Sequence, residues 1–191
     1  MLPLEDTSCI LVGCGAIEPS VRRAVNGSAR YRLVVAVNRA AEIHGIVPDV
    51  TFWQDPIWPL KGETGLSIRV NGLEGPEDGI KLPCWRVGKT PLWLNPGRLY
   101  HVANTAVMAA MWAMSVGCSL VAMLGCGCLD DGRRPGQLRQ MREDLENCRA
   151  IFGDRIHLVE TFTDWLEMQK RAEGTRRILY DPKARLRAFY T

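Results

Sequence analysis

The 28 residues from Val102 to Leu129 carry no charge. A run of that length is long enough to span a bilayer. Its interior argues otherwise. Gly117 interrupts it, Asn104, Thr105, Ser115 and Ser119 are polar, and Gly125-Cys126-Gly127 breaks it again. The stretch reads better as a buried helix, Ala103 to Val116, followed by a buried strand, Ser119 to Leu124. A strand that is apolar without alternation is covered on both faces, as in a parallel sheet between helix layers. No membrane span is therefore expected.

The N-terminal third repeats the logic. Ser8 to Gly13 is a short apolar run ending in glycine, a buried first strand. Glu18 to Asn26 suits a helix, with Pro19 in its first turn and Asn26-Gly27 as a stop. Tyr31 to Val37 is a second strand, Ala40 to His44 one short helical turn, and Asp49 to Trp53 a third strand. Alternation of strand and helix implies parallel strands joined by right-handed crossovers. Further on, Gln137 to Phe152 places Leu138, Met141, Leu145, Cys148 and Phe152 on one helical face. Arg155 to Glu160 is a last strand. Thr161 or Thr163 caps a helix running through Trp165 and Leu166.

Residues 56 to 98 differ. They hold Pro56, Pro59, Pro76, Pro83, Pro91 and Pro96 with Trp58, Trp85 and Trp93. Ser67 to Val70 and Leu82 to Val87 suit short strands, and the rest reads as loop. A long irregular insert is a functional lid or a cover over one end of the core. The expected class is α/β: a single Rossmann-like three-layer domain over residues 1–172, mostly parallel, with a Pro/Trp-rich insert at about 56–98. Residues 173–191 form a basic C-terminal tail, either a contact for phosphates or partners or a solvated helix.

The formal charge of +3 is too small to indicate nucleic acid by itself. Seven cysteines lie in apolar runs or beside glycines. That suits reduced thiols and a cytoplasmic setting rather than a disulfide framework. Cys14, Cys126 and Cys128 make a poor zinc pattern, lacking a second pair and a nearby histidine. No metal site is expected.

Gly13-Cys14-Gly15 stands between a buried strand and a helix. Glycines there let the backbone approach a phosphate or sugar, and the helix start favours anions. A tight strand-to-helix turn is the plainer reading. The dinucleotide fingerprint needs a third glycine where Glu18 stands, so it fails. No Gly-Lys-Ser/Thr is present, which excludes a P-loop. Asn38 and Asp55 end the second and third strands. Asn38 suits a ribose or base edge, and Asp55 a hydroxyl or a metal; local capping explains either equally well. His101, Asn104 and Thr105 stand at the start of the apolar helix. There His101 suits proton transfer, and free amides suit a phosphate. His101 also reads as an ordinary surface histidine. His44 and His157 sit in ordinary contexts.

Several segments taken in order resemble a known superfamily. They are Ile10 to Ser20, Val35-Ala-Val-Asn38, Val47 to Asp55, Asn104 to Gly117, and Val121-Ala-Met-Leu-Gly125. The chain is similar over residues 8 to 128 to archaeal 6-hydroxymethylpterin diphosphokinases. Their relatives include single-domain bacterial sialyltransferases and small phage-encoded proteins of unassigned role. The resemblance implies that Gly13, Cys14, Gly15 and Ser20 border nucleotide phosphates. It implies that Asn38 and Asp55 meet the nucleoside or substrate, and that Asn104 and Thr105 bind phosphate or sugar, with Gly125 at the neighbouring strand end. The chain departs from the pattern in two places. Ala16-Ile-Glu18 intervenes before Pro-Ser, and Gly127 stands where the family often has an acid.

The function expected is a nucleotide-dependent transferase, sialyltransferase-like or diphosphokinase-like, acting on a small molecule or glycan. Its donor would be a CMP-sugar or ATP, with magnesium optional. Asp55 or His101 would accept the proton of the incoming hydroxyl. The alternative is a non-catalytic nucleotide-binding or phage accessory protein on the same fold. An NAD enzyme fits less well, because Asn38 replaces the acid that would hold a ribose diol. Association into a homo-oligomer stays open.

Overall fold

The computed structural model describes residues 2–28, 32–54, 65–70, 79–86, 96–97, 99–102, 104–127, 135–173 and 181–191. In chain order these form β1 (Thr7–Val12), α1 (Pro19–Ser28), β2 (Leu33–Val37), α2 (Ala40–His44), β3 (Val50–Trp53) and β4 (Leu66–Val70). β5 (Ile80–Leu82), β6 (Cys84–Arg86), β7 (Leu99–His101), α3 (Thr105–Ser115), β8 (Cys118–Leu124) and α4 (Pro135–Phe152) follow. A 3-10 turn (Gly153–Arg155), β9 (Ile156–Val159), α5 (Phe162–Ala172) and α6 (Pro182–Tyr190) complete the chain.

Seven strands make one sheet in the order β5-β4-β3-β2-β1-β8-β9, and every pairing in it is parallel. The chain winds outward from β1 through β2 and β3, then returns to lay β8 on the other side of β1. The order reverses between β1 and β8, which makes that junction the topological switch point of the sheet. β6 and β7 form a separate parallel pair.

Each central strand is apolar on both faces. On β1, Ile10 and Val12 pack with Val21 and Val25 of α1 and with Trp165 and Met168 of α5. Cys9 and Leu11 face the opposite way, toward α3, α4 and α6. The helices thus divide into two outer layers, one per sheet face. Helix α3 is buried at every position from Ala106 to Ser115. A helix that is apolar all round belongs in an interior, and this one is wedged between the sheet, α4 and α6. The uncharged run therefore resolves as expected into a helix and a strand, and no described helix is long and apolar enough to cross a membrane. The described cysteines are free thiols. Burial pushes the Cys148 thiol up to about 12.

Three expectations change. The insert is not only a lid or cover: the strand expected at Ser67 to Val70 is present as β4, and with β5 it extends the main sheet beyond β3 in parallel register. The expected strand from Leu82 to Val87 is divided at Pro83, because proline cannot donate to a sheet ladder, and its two parts join different sheets. His101 does not open the apolar helix; it ends β7.

The last stretch contains α6, which is docked on the body. Leu186 is fully buried in the main core. The Tyr190 hydroxyl accepts from Trp112 Nε1 at 3.0 Å and donates to the Pro96 carbonyl at 2.7 Å. Arg185 donates to the Pro3 carbonyl at 3.2 Å.

At the switch point the ends of β1 and β8 meet backbone to backbone. The Gly13 amide donates to the Leu124 carbonyl and the Gly15 amide to the Gly125 carbonyl, both at 2.8 Å. Gly125 takes a left-handed φ of 58°. A Cβ on Gly13 would fall 2.5 Å from the Gly125 oxygen, and one on Gly125 would fall 2.6 Å from the Gly15 oxygen. Backbone atoms cannot yield as a flexible side chain does. The Gly13→Ala variant is therefore expected to lose about 1–3 kcal/mol in urea unfolding, the usual cost of overpacking. Gly127, where an added Cβ meets nothing within 4 Å, should accept alanine within about 0.5 kcal/mol. Equal effects at the two positions would contradict the close approach.

Candidate functional site

The carboxyl ends of β1, β2, β3 and β8 gather most of the residues singled out from the sequence. Gly13, Cys14 and Gly15 form the turn leaving β1. Gly13 is buried, Gly15 half-buried and Cys14 exposed. The Cys14 thiol leans toward the end of β2, donating to the Val37 carbonyl at 3.4 Å. Asn38 follows at once and takes a left-handed φ of 51°. Few residues other than glycine adopt that conformation, asparagine most readily among them. Its amide still donates to the Phe52 carbonyl of β3 at 2.9 Å. The chain thus turns sharply at Asn38 with its last ladder bond intact, which sets Asn38 beside the glycine turn.

His44 supports this turn from below. It is buried, with Nε2 3.0 Å from the Gly13 carbonyl. A carbonyl accepts, so Nε2 carries the proton and donates. Burial pushes the imidazole below its ordinary value, against opposing hydrogen bonds to the carbonyls of Gly13 and Gly15. The neutral ring is the form suited to the fold. From the sequence His44 was unremarkable, because its partners lie about thirty residues away.

Ser20 lies in the first turn of α1, and its hydroxyl donates to the Glu18 carboxylate. The other carboxylate oxygen of Glu18 accepts from the Phe162 amide at 2.8 Å. Phe162 is the first residue of α5. Glu18, the residue that breaks the dinucleotide fingerprint, thus ties the start of α1 to the start of α5. An acid at a helix start is favourable because free amides and the helix dipole both attract it.

A similar arrangement closes α3. The Asn104 side chain caps the helix, accepting from the amides of Ala106 and Val107 at 3.0 and 3.4 Å. The Asn104 amide donates to buried Asp144 of α4 at 3.3 Å. Thr105 turns to β3, donating to Gln54 Oε1 at 2.8 Å, and Gln54 Nε2 donates to the Val102 carbonyl at 2.9 Å. Asn104 and Thr105 therefore bind α3 to β3 and α4. Gln54, Asp144 and Glu18 are site-forming residues that local pattern did not single out, since each acts on a remote partner.

Beside the switch point a cavity of about 190 Å³ opens between β8 and β9. Ala16, Met123, Gly125, Cys126, Leu158 and Glu160 are among its lining residues. Its walls are mainly apolar, and Glu160 is the one carboxylate among the described lining residues. Gly125, at the strand end, thus borders both the glycine turn and the cavity. Asp55 lies outside the described residues, as do the side chain of His101 and Cys128. Among the described residues, no group of three or more His, Cys, Asp or Glu side chains is arranged to hold a metal ion.

The His44 geometry has a pH consequence. Its folded pKa is depressed, so the unfolded chain binds the proton more readily. Stability is then fully present above the ordinary histidine value and falls as pH drops through it toward the folded value. Melting temperatures from pH 7.5 to 5.0 should decline for the wild type, and the decline should be shallower for His44→Gln. Identical slopes would rule out this role for His44.

Comparisons with family models, with curated proteins and with solved structures return no match to this chain.

Proposed function

We propose that this chain is a nucleotide-dependent transferase acting on a small molecule or glycan at the carboxyl ends of β1, β2 and β8. The observation that carries the reading is the glycine-built switch point. Open parallel sheets bind ligands in the crevice outside the strand ends where the order reverses. Here that place is formed by backbone, braced by His44 and flanked by a left-handed Asn38. The glycines themselves carry no side chain, so a ligand's phosphates can approach the turn closely, although the Gly13 and Gly15 amides are already bonded to the Leu124 and Gly125 carbonyls.

In this reading the donor nucleotide lies over Gly13-Cys14-Gly15 toward Ser20, with its nucleoside near Asn38. The 190 Å³ cavity beside Gly125 receives the compact, largely apolar part of a ligand. Rate enhancement rests on positioning and on stabilising the charge that develops on the leaving phosphate. Asp55 or His101 takes the proton of the attacking hydroxyl. The donor is a nucleotide sugar or a nucleoside triphosphate, with magnesium required only for the latter.

A second reading, a nucleotide-binding protein without turnover, is favoured by one observation. The starts of α3 and α5 already hold the chain's own carboxylates, Asp144 and Glu18. Glu18 also stands at the start of α1, which leaves the glycine turn as the ground for phosphate.

A thermal-shift screen against CMP, CDP, UDP, GDP, AMP, ATP and NAD, with and without magnesium, tests both readings. A ligand at about a hundred times its dissociation constant adds roughly 2.7 kcal/mol to the folded state. One nucleotide class is expected to raise the melting temperature. Gly127→Leu, which adds bulk at a lining residue of the cavity where an added Cβ meets nothing within 4 Å, should reduce that rise. Binding with product release from the matching donor supports the transferase. Binding without turnover on any offered acceptor supports the second reading, and no shift with any nucleotide removes both.

A further inference from the structure

The cavity between β8 and β9 joins an apolar floor to a single negative charge. Met123 of β8 and Leu158 of β9 are register partners, so they stand side by side on one face of the sheet. Met123 and Cys126 belong to the larger core, and Leu158 packs against it. All three line the cavity. Glu160 follows Leu158 by two residues and also lines the cavity. Side chains two apart along an extended chain leave it on the same side, which sets the Glu160 carboxylate on the side of that apolar floor.

Three carboxylates gather where β9 passes into α5, and two of them are engaged by backbone amides. Asp164 accepts from the amides of Glu160 and Thr161 at 3.0 and 2.8 Å. Glu18 accepts from the Phe162 amide at 2.8 Å. The Glu160 carboxylate, in contrast, makes no hydrogen bond or ion pair with any described residue. None of the described lining residues of the cavity is a cation. The charge on Glu160 is therefore not neutralised from within the described site. Such a place repels phosphate and carboxylate groups and attracts a positive one.

We propose that this cavity binds a compact hydrocarbon ring carrying a primary ammonium group, with Glu160 as the counter-ion. The ring lies against Met123, Cys126 and Leu158, and the ammonium donates to the Glu160 carboxylate at the rim in a charge-assisted hydrogen bond. The size agrees. An apolar cavity of about 150 Å³ in another protein accepts benzene, and the 190 Å³ here leaves room for a ring with a short aminomethyl arm. The inference rests on the nucleotide reading only for which molecule carries the amine: there it is the acceptor, or the part of the ligand remote from phosphate. The preference of the cavity for a cation stands on its own residues.

The test uses the full chain with benzylamine, benzyl alcohol and benzoate, which share a ring and differ in charge. Dissociation constants are read from ¹H–¹⁵N amide shifts at neutral pH and constant ionic strength. Benzylamine should bind about three- to fivefold more tightly than benzyl alcohol, the reach of a partly exposed ion pair, and benzoate more weakly than either. The shifts should centre on Gly125 to Gly127 and Leu158 to Glu160. In Glu160→Gln, an exposed position whose melting temperature should match the wild type, benzylamine and benzyl alcohol should bind alike. Gly127→Leu should weaken both. Equal binding of the two by the wild type, a preference that persists in Glu160→Gln, or no binding of benzylamine overturns the inference. Nucleotide binding without the amine preference removes this inference alone. The amine preference without nucleotide binding removes the nucleotide reading alone.

Discussion

Three glycines, Gly13, Gly15 and Gly125, meeting backbone to backbone decide how this sheet ends. The amides of Gly13 and Gly15 reach across to the Leu124 and Gly125 carbonyls, and no side chain fits between the two turns. β1 and β8 are therefore bonded beyond their last strand residues, at the point where the strand order reverses. What surrounds the contact depends on it. The turn is supported by His44 from α2, closed on one side by Asn38, and continued on the other by the cavity between β8 and β9. A side chain at Gly13 would separate the turns and displace all three.

The rest of the carboxyl-end surface is built by carboxylates and amides pairing over long sequence distances. Glu18 joins the starts of α1 and α5, and Asp144 joins α4 to the start of α3. Each places an acid where free amides and a helix dipole attract it. These helix starts are fixed by the protein itself. The glycine turn is different, because its outer side holds no such carboxylate among the described contacts. That contrast singles it out as the place where an external anion would be received.

Much of the fold is legible from local pattern, and the reasons are specific. β1, β2 and β8 are apolar on both faces because helices cover both, and that marks a parallel sheet without any remote information. α2 is legible to the residue, since Gly45 in the left-handed region closes it. β7 escapes notice because a three-residue strand has no period. α6 is obscured because only Leu186 among its residues is buried. The insert reads as irregular because one row of β4 and β5 is polar, holding Ser67, Arg69 and Lys81 rather than leucines. At the site, the glycine turn and Asn38 are visible in sequence. The approach of Gly125, over a hundred residues later, is not; nor are the roles of His44, Gln54 and Asp144, whose partners only folding supplies.

The central claim is that a nucleotide lies at this switch point, and amide mapping addresses it most directly. The chain is labelled with ¹⁵N, and amide signals are followed as the stabilising nucleotide is added. The account predicts that the largest shifts fall on Cys14, Gly15, Ala16, Asn38 and Gly125 to Gly127, forming one contiguous patch across β1, β2 and β8. Shifts confined to another surface, such as α6, with the glycine amides unmoved, would contradict it.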